Sequence, residues 1–211
     1  MDRKLIANRW LKYWLCYGVI AFGAGGYILT NHISYPHTSQ LPLTLIDQQV
    51  PFWPWTIIVY SLIFGLVVIM PFLINEEFML RRALLGATVL ISLNLMVFVL
   101  FPVEYPARPD MDTIMMAGSF WADVYSLIHR LDTTSNCFPS MHVSMSTLFV
   151  LVFYRTRPKL FRLFAGLAVI ISFSTLTTKQ HYVIDVAAGL ILGGLSYYIA
   201  CRQYPHRLTS S

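Results

Sequence analysis

WTIIVYSLIFGLVVIMPFLI, residues 55–74, runs for twenty positions without a charged side chain. A helix rises about 1.5 Å per residue, so a run of this length covers the roughly 30 Å of hydrocarbon in a bilayer. The stretch therefore reads as a membrane span. Working outward from it, five further apolar stretches of comparable character lie at residues 13–30, 83–101, 140–154, 163–177 and 182–201. A chain of 211 residues that is 56% hydrophobic and only 12% charged has more apolar surface than one soluble core can enclose, so lipid is its expected solvent. The first stretch is too long to be a removed signal peptide, and it lacks a small-residue cleavage site. With no internal repeat, low-complexity tract or Gly/Ser linker, residues 1–211 are expected to form one polytopic domain, an all-α six-helix bundle embedded in the membrane.

The formal charge of +5 raises the question of nucleic acid, and the placement of the charges answers it. Arg3, Lys4, Arg9 and Lys12 precede the first span, and Arg81 and Arg82 follow the second. Arg155, Arg157, Lys159 and Arg162 follow the fourth, and Arg202 and Arg207 follow the sixth. Twelve of fifteen basic residues thus fall on one face, which the positive-inside rule makes cytoplasmic, both termini included. The expected partner is the bilayer, with no role for nucleic acid. The other face, periplasmic or extracellular in a bacterium and luminal in a eukaryote, holds only Arg108, Arg130 and Lys179. It carries the acids Asp47, Glu104, Asp110, Asp112, Asp123 and Asp132. Cys16 and Cys201 sit toward the cytoplasmic ends of their spans and Cys137 near the opposite face, so no disulfide involving Cys137 is implied.

Two outer loops are long. Residues 31–54 carry four prolines with Trp53, next to Trp55, a composition suited to anchoring at the headgroup level. Between spans three and four, Ile114, Ala117, Trp121, Val124, Ile128 and Leu131 recur at three and four residues, with Ser119, Asp123, Ser126 and Arg130 opposite. That periodicity predicts a short amphipathic helix on the outer membrane surface. It either roofs a site or merely covers the bundle. Gly189, Gly193 and Gly194 on the last span are expected to permit close helix packing.

Ionisable residues near membrane spans are costly, so each is a candidate for function. Three segments stand out: Tyr105 to Pro109 with Arg108, Cys137 to His142, and Thr177 to Asp185. The order of the spans delivers Arg108, His142 and His181 to the same membrane surface. His181 and Asp185 are four residues apart, a spacing that places both on one helix face. A carboxylate holding one imidazole nitrogen leaves the other free as base or nucleophile. His142 is then the candidate general acid, Arg108 and Lys179 the candidate phosphate-binding cations, and Ser140 at a helix start a neutral donor to the anion. These are the parts that phosphoryl transfer requires. Tyr105 and Tyr182 read as interfacial aromatics, and His32, His37, His129 and His206 have no assigned role.

The same residues resemble the type 2 phosphatidic acid phosphatases, whose three motifs read Lys-x6-Arg-Pro, Pro-Ser-Gly-His and Ser-Arg-x5-His-x3-Asp. Arg108-Pro109 matches the first, Pro139-Ser140-Met141-His142 the second, and Ser174 with His181 and Asp185 the third. The resemblance implies six spans and a lipid phosphate or lipid pyrophosphate substrate. It implies His181 as the nucleophile that forms a phosphohistidine, Asp185 as its orienting group, and His142 as the acid that protonates the departing oxygen. It implies no metal and no other cofactor. Three positions depart from the pattern: Phe101 stands at the Lys position, Met141 at the Gly and Thr175 at the Arg. Two phosphate-binding cations are therefore absent, and Lys179 is the candidate replacement for one. The run from Ser174 to Tyr182 looks more like the inositol phosphorylceramide synthase branch, whose members transfer a phospho-headgroup to a lipid alcohol. Zinc binding by two histidines and a carboxylate is a further reading of the same residues. From another class of function, a lipid transporter or binding protein that keeps the fold without catalysis remains open. Oligomeric state is not encoded in any of these features.

Overall fold

A computed structural model describes residues 8–132, 136–154 and 157–203. Arg3, Lys4, Arg155, His206 and Arg207, together with the side chain of Leu131, lie outside the described residues. The elements in chain order are α1 (Arg9–Asn31), α2 (Leu45–Gln49), a 3-10 turn (Pro54–Thr56), α3 (Ile57–Leu73), α4 (Glu77–Leu100), α5 (Met111–Met116), α6 (Ser119–Leu131), α7 (Met141–Phe153), α8 (Pro158–Thr177) and α9 (Val183–Gln203). Each of the six anticipated apolar stretches contains a helix. Five of these helices, α1, α3 with its leading turn, α4, α8 and α9, are long and apolar enough to cross a membrane.

The remaining helix, α7, in the fourth stretch, differs. It has 13 residues, which at about 1.5 Å each give roughly 20 Å, short of a full hydrocarbon layer. Its surroundings account for this, because α7 packs against α3, α4, α8 and α9 and none of its residues is exposed. The long helices instead turn large apolar side chains outward, among them Trp14, Leu29, Ile58, Phe64, Val169 and Ile191. A helix enclosed by others need not match the thickness of lipid.

The ends of the helices sort into two groups. At one end, the Lys12 amine donates to the Ile74 carbonyl at 3.2 Å and Arg157 pairs with Glu76 at 3.2 Å. There too the Arg82 guanidinium lies over the Phe78 ring and donates to the Tyr197 hydroxyl at 3.4 Å. This gathers the starts of α1, α4 and α8 with the ends of α3 and α9. At the other end, the Thr177 hydroxyl donates to that of Thr56 at 2.9 Å, and the Tyr35 hydroxyl donates to the Phe98 carbonyl at 3.1 Å. Isolated parallel bridges tie Val103 to both Ser39 and Asn136, drawing three loops together over that end.

The interface of α7 with α9 depends on two of the three glycines noted above. A Cβ at Gly189 would stand 2.8 Å from the Ser140 carbonyl oxygen, and one at Gly193 would stand 2.5 Å from that of Ser144. Gly194 meets nothing within 4 Å and is not part of this contact. Because the obstructing atoms are backbone, a side chain at Gly193 must push α7 and α9 apart. Gly193→Val is expected to lower stability by about 1–3 kcal/mol, read as a reduced thermal unfolding temperature in detergent. Gly194→Val serves as the comparison and should cost less.

The amphipathic segment is not one helix. Gly118 has φ +122°, a conformation that side chains disfavour, and it separates α5 from α6. Ala117, placed on the apolar face by periodicity, is exposed as a result, whereas Ile114, Ala122, Tyr125 and Ile128 are buried against Ile57 and Tyr60 at the start of α3.

Candidate functional site

Two helix starts converge on the loop-covered end. Ser140 caps α7, its hydroxyl accepting from the Val143 amide at 3.4 Å, so His142 falls in the first turn of that helix. Asp185 falls in the first turn of α9, where its Oδ2 accepts from the Tyr182 amide at 2.9 Å. Backbone amides without helical partners and the aligned peptide dipoles make both starts favourable places for an anion.

His181 lies just before α9, not on it. Its Nδ1 is 2.9 Å from the Cys137 carbonyl oxygen and 3.2 Å from Asp185 Oδ2. Both neighbours are acceptors, which assigns the hydrogen to Nδ1 and leaves the lone pair on Nε2. Nε2 of His181 has no hydrogen-bond partner among the described residues, and neither does Nε2 of His142. The two imidazole centroids are 5.9 Å apart. His142 is itself packed by α3: Tyr60 lies nearly parallel to it at 3.9 Å between centroids, and Phe64 meets it edge-on at 5.6 Å.

Arg108 reaches the same place. Its Nη2 donates to the Asp132 carbonyl at 3.0 Å and to Gln180 Oε1, while its Nε is unpartnered among the described residues. The hydroxyls of Tyr27 and Tyr60 donate to the two carboxylate oxygens of Asp132. Burial alone would raise the carboxyl of Asp132. The charges of Arg108 and His142 and the two tyrosine hydrogen bonds outweigh it and hold the group below the usual carboxylate range. On the far side of Arg108, burial followed by the guanidinium charge pushes the His129 imidazole down to about 4.

The other two expected phosphate ligands are placed differently. The Lys179 amine donates to the Asp47 carbonyl at 2.8 Å, and burial lowers its pKa against the opposing pull of the Asp47 carboxylate. Asp47 also accepts from the Val183 amide at 2.8 Å and closes a capping box with Thr44. The long first loop, expected to be an anchor, thus also braces the start of α9. Its tryptophans do face outward, Trp53 and Trp55 stacking at 6.2 Å beside Phe173. Tyr105 and Tyr182, read as interfacial aromatics, are instead buried against each other with centroids 4.6 Å apart. Ser140 is fully buried and its hydroxyl serves as the cap just described.

Sequence reasoning passed over Cys137, Gln180, Tyr60, Tyr27 and the role of Asp132. The Cys137 thiol donates to Asp185 Oδ2 at 2.8 Å. Burial first, then the Asp185 charge and that hydrogen bond, push the thiol well above its ordinary value, so it stays a neutral donor. Cys137, His181 and Asp185 present ligand atoms within 4.8 Å of one another, the one such set of potential metal donors among the described residues. A divalent ion there would have to displace the hydrogens of both Sγ and Nδ1, and it would take from Asp185 the bond that orients His181. The only advance signal for these residues was proximity: Cys137 and Gln180 flank the motif residues, and Asp132 is an acid in the loop that leads to them.

A histidine with an oriented Nδ1 and an open Nε2, a second histidine facing it, and a guanidinium between a loop and two helix starts form a site for an anionic group undergoing nucleophilic substitution. No curated relative matches the chain. The sequence profile of the PAP2 superfamily matches residues 43–199, a span that contains the site from Asp47 to Asp185 and includes most of the chain. With that match added to the ordered motifs and the apolar helices, the chain belongs to the PAP2 superfamily.

Proposed function

We propose that the protein is a membrane lipid phosphate or lipid pyrophosphate phosphatase that works through a phosphohistidine. The observation that carries this reading is the His181 ring, held at Nδ1 by two acceptors so that Nε2 keeps its lone pair. In the first step Nε2 attacks phosphorus, the bond from phosphorus to the lipid oxygen breaks, and that oxygen takes a proton from His142. In the second, neutral His142 takes a proton from water, the water oxygen attacks phosphorus, the P–N bond breaks, and free phosphate leaves His181 as it began. Arg108 and the amides at the starts of α7 and α9 neutralise charge on the phosphoryl oxygens, with Ser140 holding the start of α7 in shape. Lys179 contributes its charge from its place at the Asp47 carbonyl.

We place α7 as a span too, the fourth in chain order, which makes six; the basic end of the bundle with both termini lies in the cytoplasm, and the site with α5 and α6 at the outer surface. The asymmetry of Lys and Arg between the two ends supports this orientation. Transfer of the phosphoryl-headgroup unit to a lipid alcohol, as in the inositol phosphorylceramide synthase branch, is favoured by Phe101 and Thr175 at the two cation positions and by the run from Thr177 to His181. A transporter is disfavoured because the ionisable candidates cluster at one end of the bundle, while Asn94 in the middle of α4 is buried with its amide donating to the Leu90 carbonyl at 2.9 Å and to Ser144 at 3.3 Å.

The test is phosphate release by the full chain in detergent from phosphatidic acid, phosphatidylglycerol phosphate, polyprenyl pyrophosphate and lipid A phosphates. Release that persists in EDTA is expected. Product that forms only when a lipid alcohol is added would replace hydrolysis with transfer, and no product under either condition would sink the catalytic reading.

A further inference from the structure

We propose that Asp132, acting through Tyr60, is the positioning residue of His142. Asp132 belongs to none of the motif segments, yet it joins the two halves of the site. Its backbone carbonyl accepts from Arg108 Nη2 at 3.0 Å, and its carboxylate accepts from the hydroxyls of Tyr27 on α1 and Tyr60 on α3. The Tyr60 ring, fixed at its hydroxyl in this way, lies over the His142 imidazole at 3.9 Å and 28°. The ring of a tyrosine can slide or tilt, and the carboxylate removes that freedom. Asp132 thereby sets the plane against which His142 rests.

The chemistry of the cluster supports more than packing. A partly buried carboxylate that meets two tyrosine hydroxyls is costly without a cation, and neutral hydroxyls do not replace one. Arg108 is one compensating charge. His142 becomes a second whenever it carries the proton it is to donate, so Asp132 complements the acid form of His142 in the way Asp185 orients His181. One carboxylate acts by direct contact and the other through an aromatic relay. The titratable groups around His142 are Tyr60 of α3, His181 before α9, Asp132 after α6, Tyr27 of α1 and Arg108 after α4. Among these groups Asp132 is the one carboxylate, and the Tyr60 hydroxyl and ring connect it to His142 beside the direct attraction of the two charges.

This inference rests on the reading of His142 as general acid, and the experiment separates the two. An alkoxide leaving from a lipid phosphate needs a proton, whereas p-nitrophenolate departs without one. Full-length Asp132→Asn and Tyr60→Phe are assayed on phosphatidic acid and on p-nitrophenyl phosphate. A loss of about 10²-fold in turnover of the lipid and a much smaller one in the rate of the first p-nitrophenol burst is expected for a displaced acid, because the burst reports the step that needs no proton. Equal loss on both, or none on either, overturns the proposal. A second measurement does not depend on activity: ring-nitrogen spectra of 15N-histidine-labelled protein, with His142 and His181 assigned by His142→Gln and His181→Gln. Asp132→Asn and Tyr60→Phe should move the His142 resonances more than those of His181, whose ring lies 6.5 Å from Tyr60 against 3.9 Å for His142. Unmoved His142 resonances overturn the proposal even if the wild type releases phosphate, and if it releases none, the proposed activity fails while the spectra alone decide the contact.

Discussion

His181→Ala should reduce phosphate release by about 10³-fold or more, the largest loss expected of any single substitution, because it removes the proposed nucleophile. Water attacking the lipid phosphate directly would still find Arg108 and the two helix starts, so a small residual rate is expected and not zero. The companion change Asp185→Asn separates orientation from presence. An asparagine keeps the volume, and its oxygen can still face the Tyr182 amide, but it removes the negative charge that balances the positive ring once Nε2 is phosphorylated. A fall of about 10²–10⁴-fold is expected with the fold intact. The covalent prediction has its own readout: wild-type protein quenched in mid-turnover with 32P-labelled substrate should carry label that is stable in base and lost in acid, and His181→Ala should carry none. Equal release by wild type and His181→Ala would remove His181 as the nucleophile and with it the mechanism.

The parts of this site that were legible in the sequence are those set by local spacing. His181 and Asp185 were paired by their four-residue separation, and they do meet, though not as two residues on a helix face. His181 precedes α9, and Asp185 turns back to cap that helix, which brings its Oδ2 to both the Tyr182 amide and Nδ1. Arg108 and His142 were placed at one end by counting spans, and the contacts among loops and helix starts put them there. What escaped the sequence is what only tertiary packing decides. Tyr60 sits in the most apolar stretch of the chain, where a lone hydroxyl carries no signal, and its partner Asp132 is 72 residues away. Lys179 looked like a phosphate ligand because charge is all that a sequence displays. Its direction toward the Asp47 carbonyl follows from the left-handed backbone at Lys179, φ 55°, which turns the chain between α8 and His181. The break at Gly118 was hidden for a related reason, since apolar periodicity counts side chains and is blind to φ.

His142→Ala gives the second large effect, and its form matters more than its size. General acid catalysis contributes about 10²–10⁴-fold, so release from phosphatidic acid should fall by that much. With p-nitrophenyl phosphate the first step no longer needs the acid, and His181 should still be phosphorylated at close to its usual rate. The second step should nonetheless fail, because water attacking the phosphohistidine has lost the base that takes its proton. His142→Ala is therefore expected to release p-nitrophenol in a burst equal to the enzyme present, followed by slow turnover, with phosphate lagging behind. If the attacking alcohol belonged to a second lipid, adding that lipid would not restore turnover, since the same base is required to deprotonate it. A proportional fall in p-nitrophenol and phosphate, without a burst, would mean that His142 supports the site mechanically through its stack on Tyr60 and does not move a proton. The burst thus separates the two uses of one imidazole that the 5.9 Å gap between the histidine rings leaves room for: an acid toward the leaving oxygen and a base toward the incoming one.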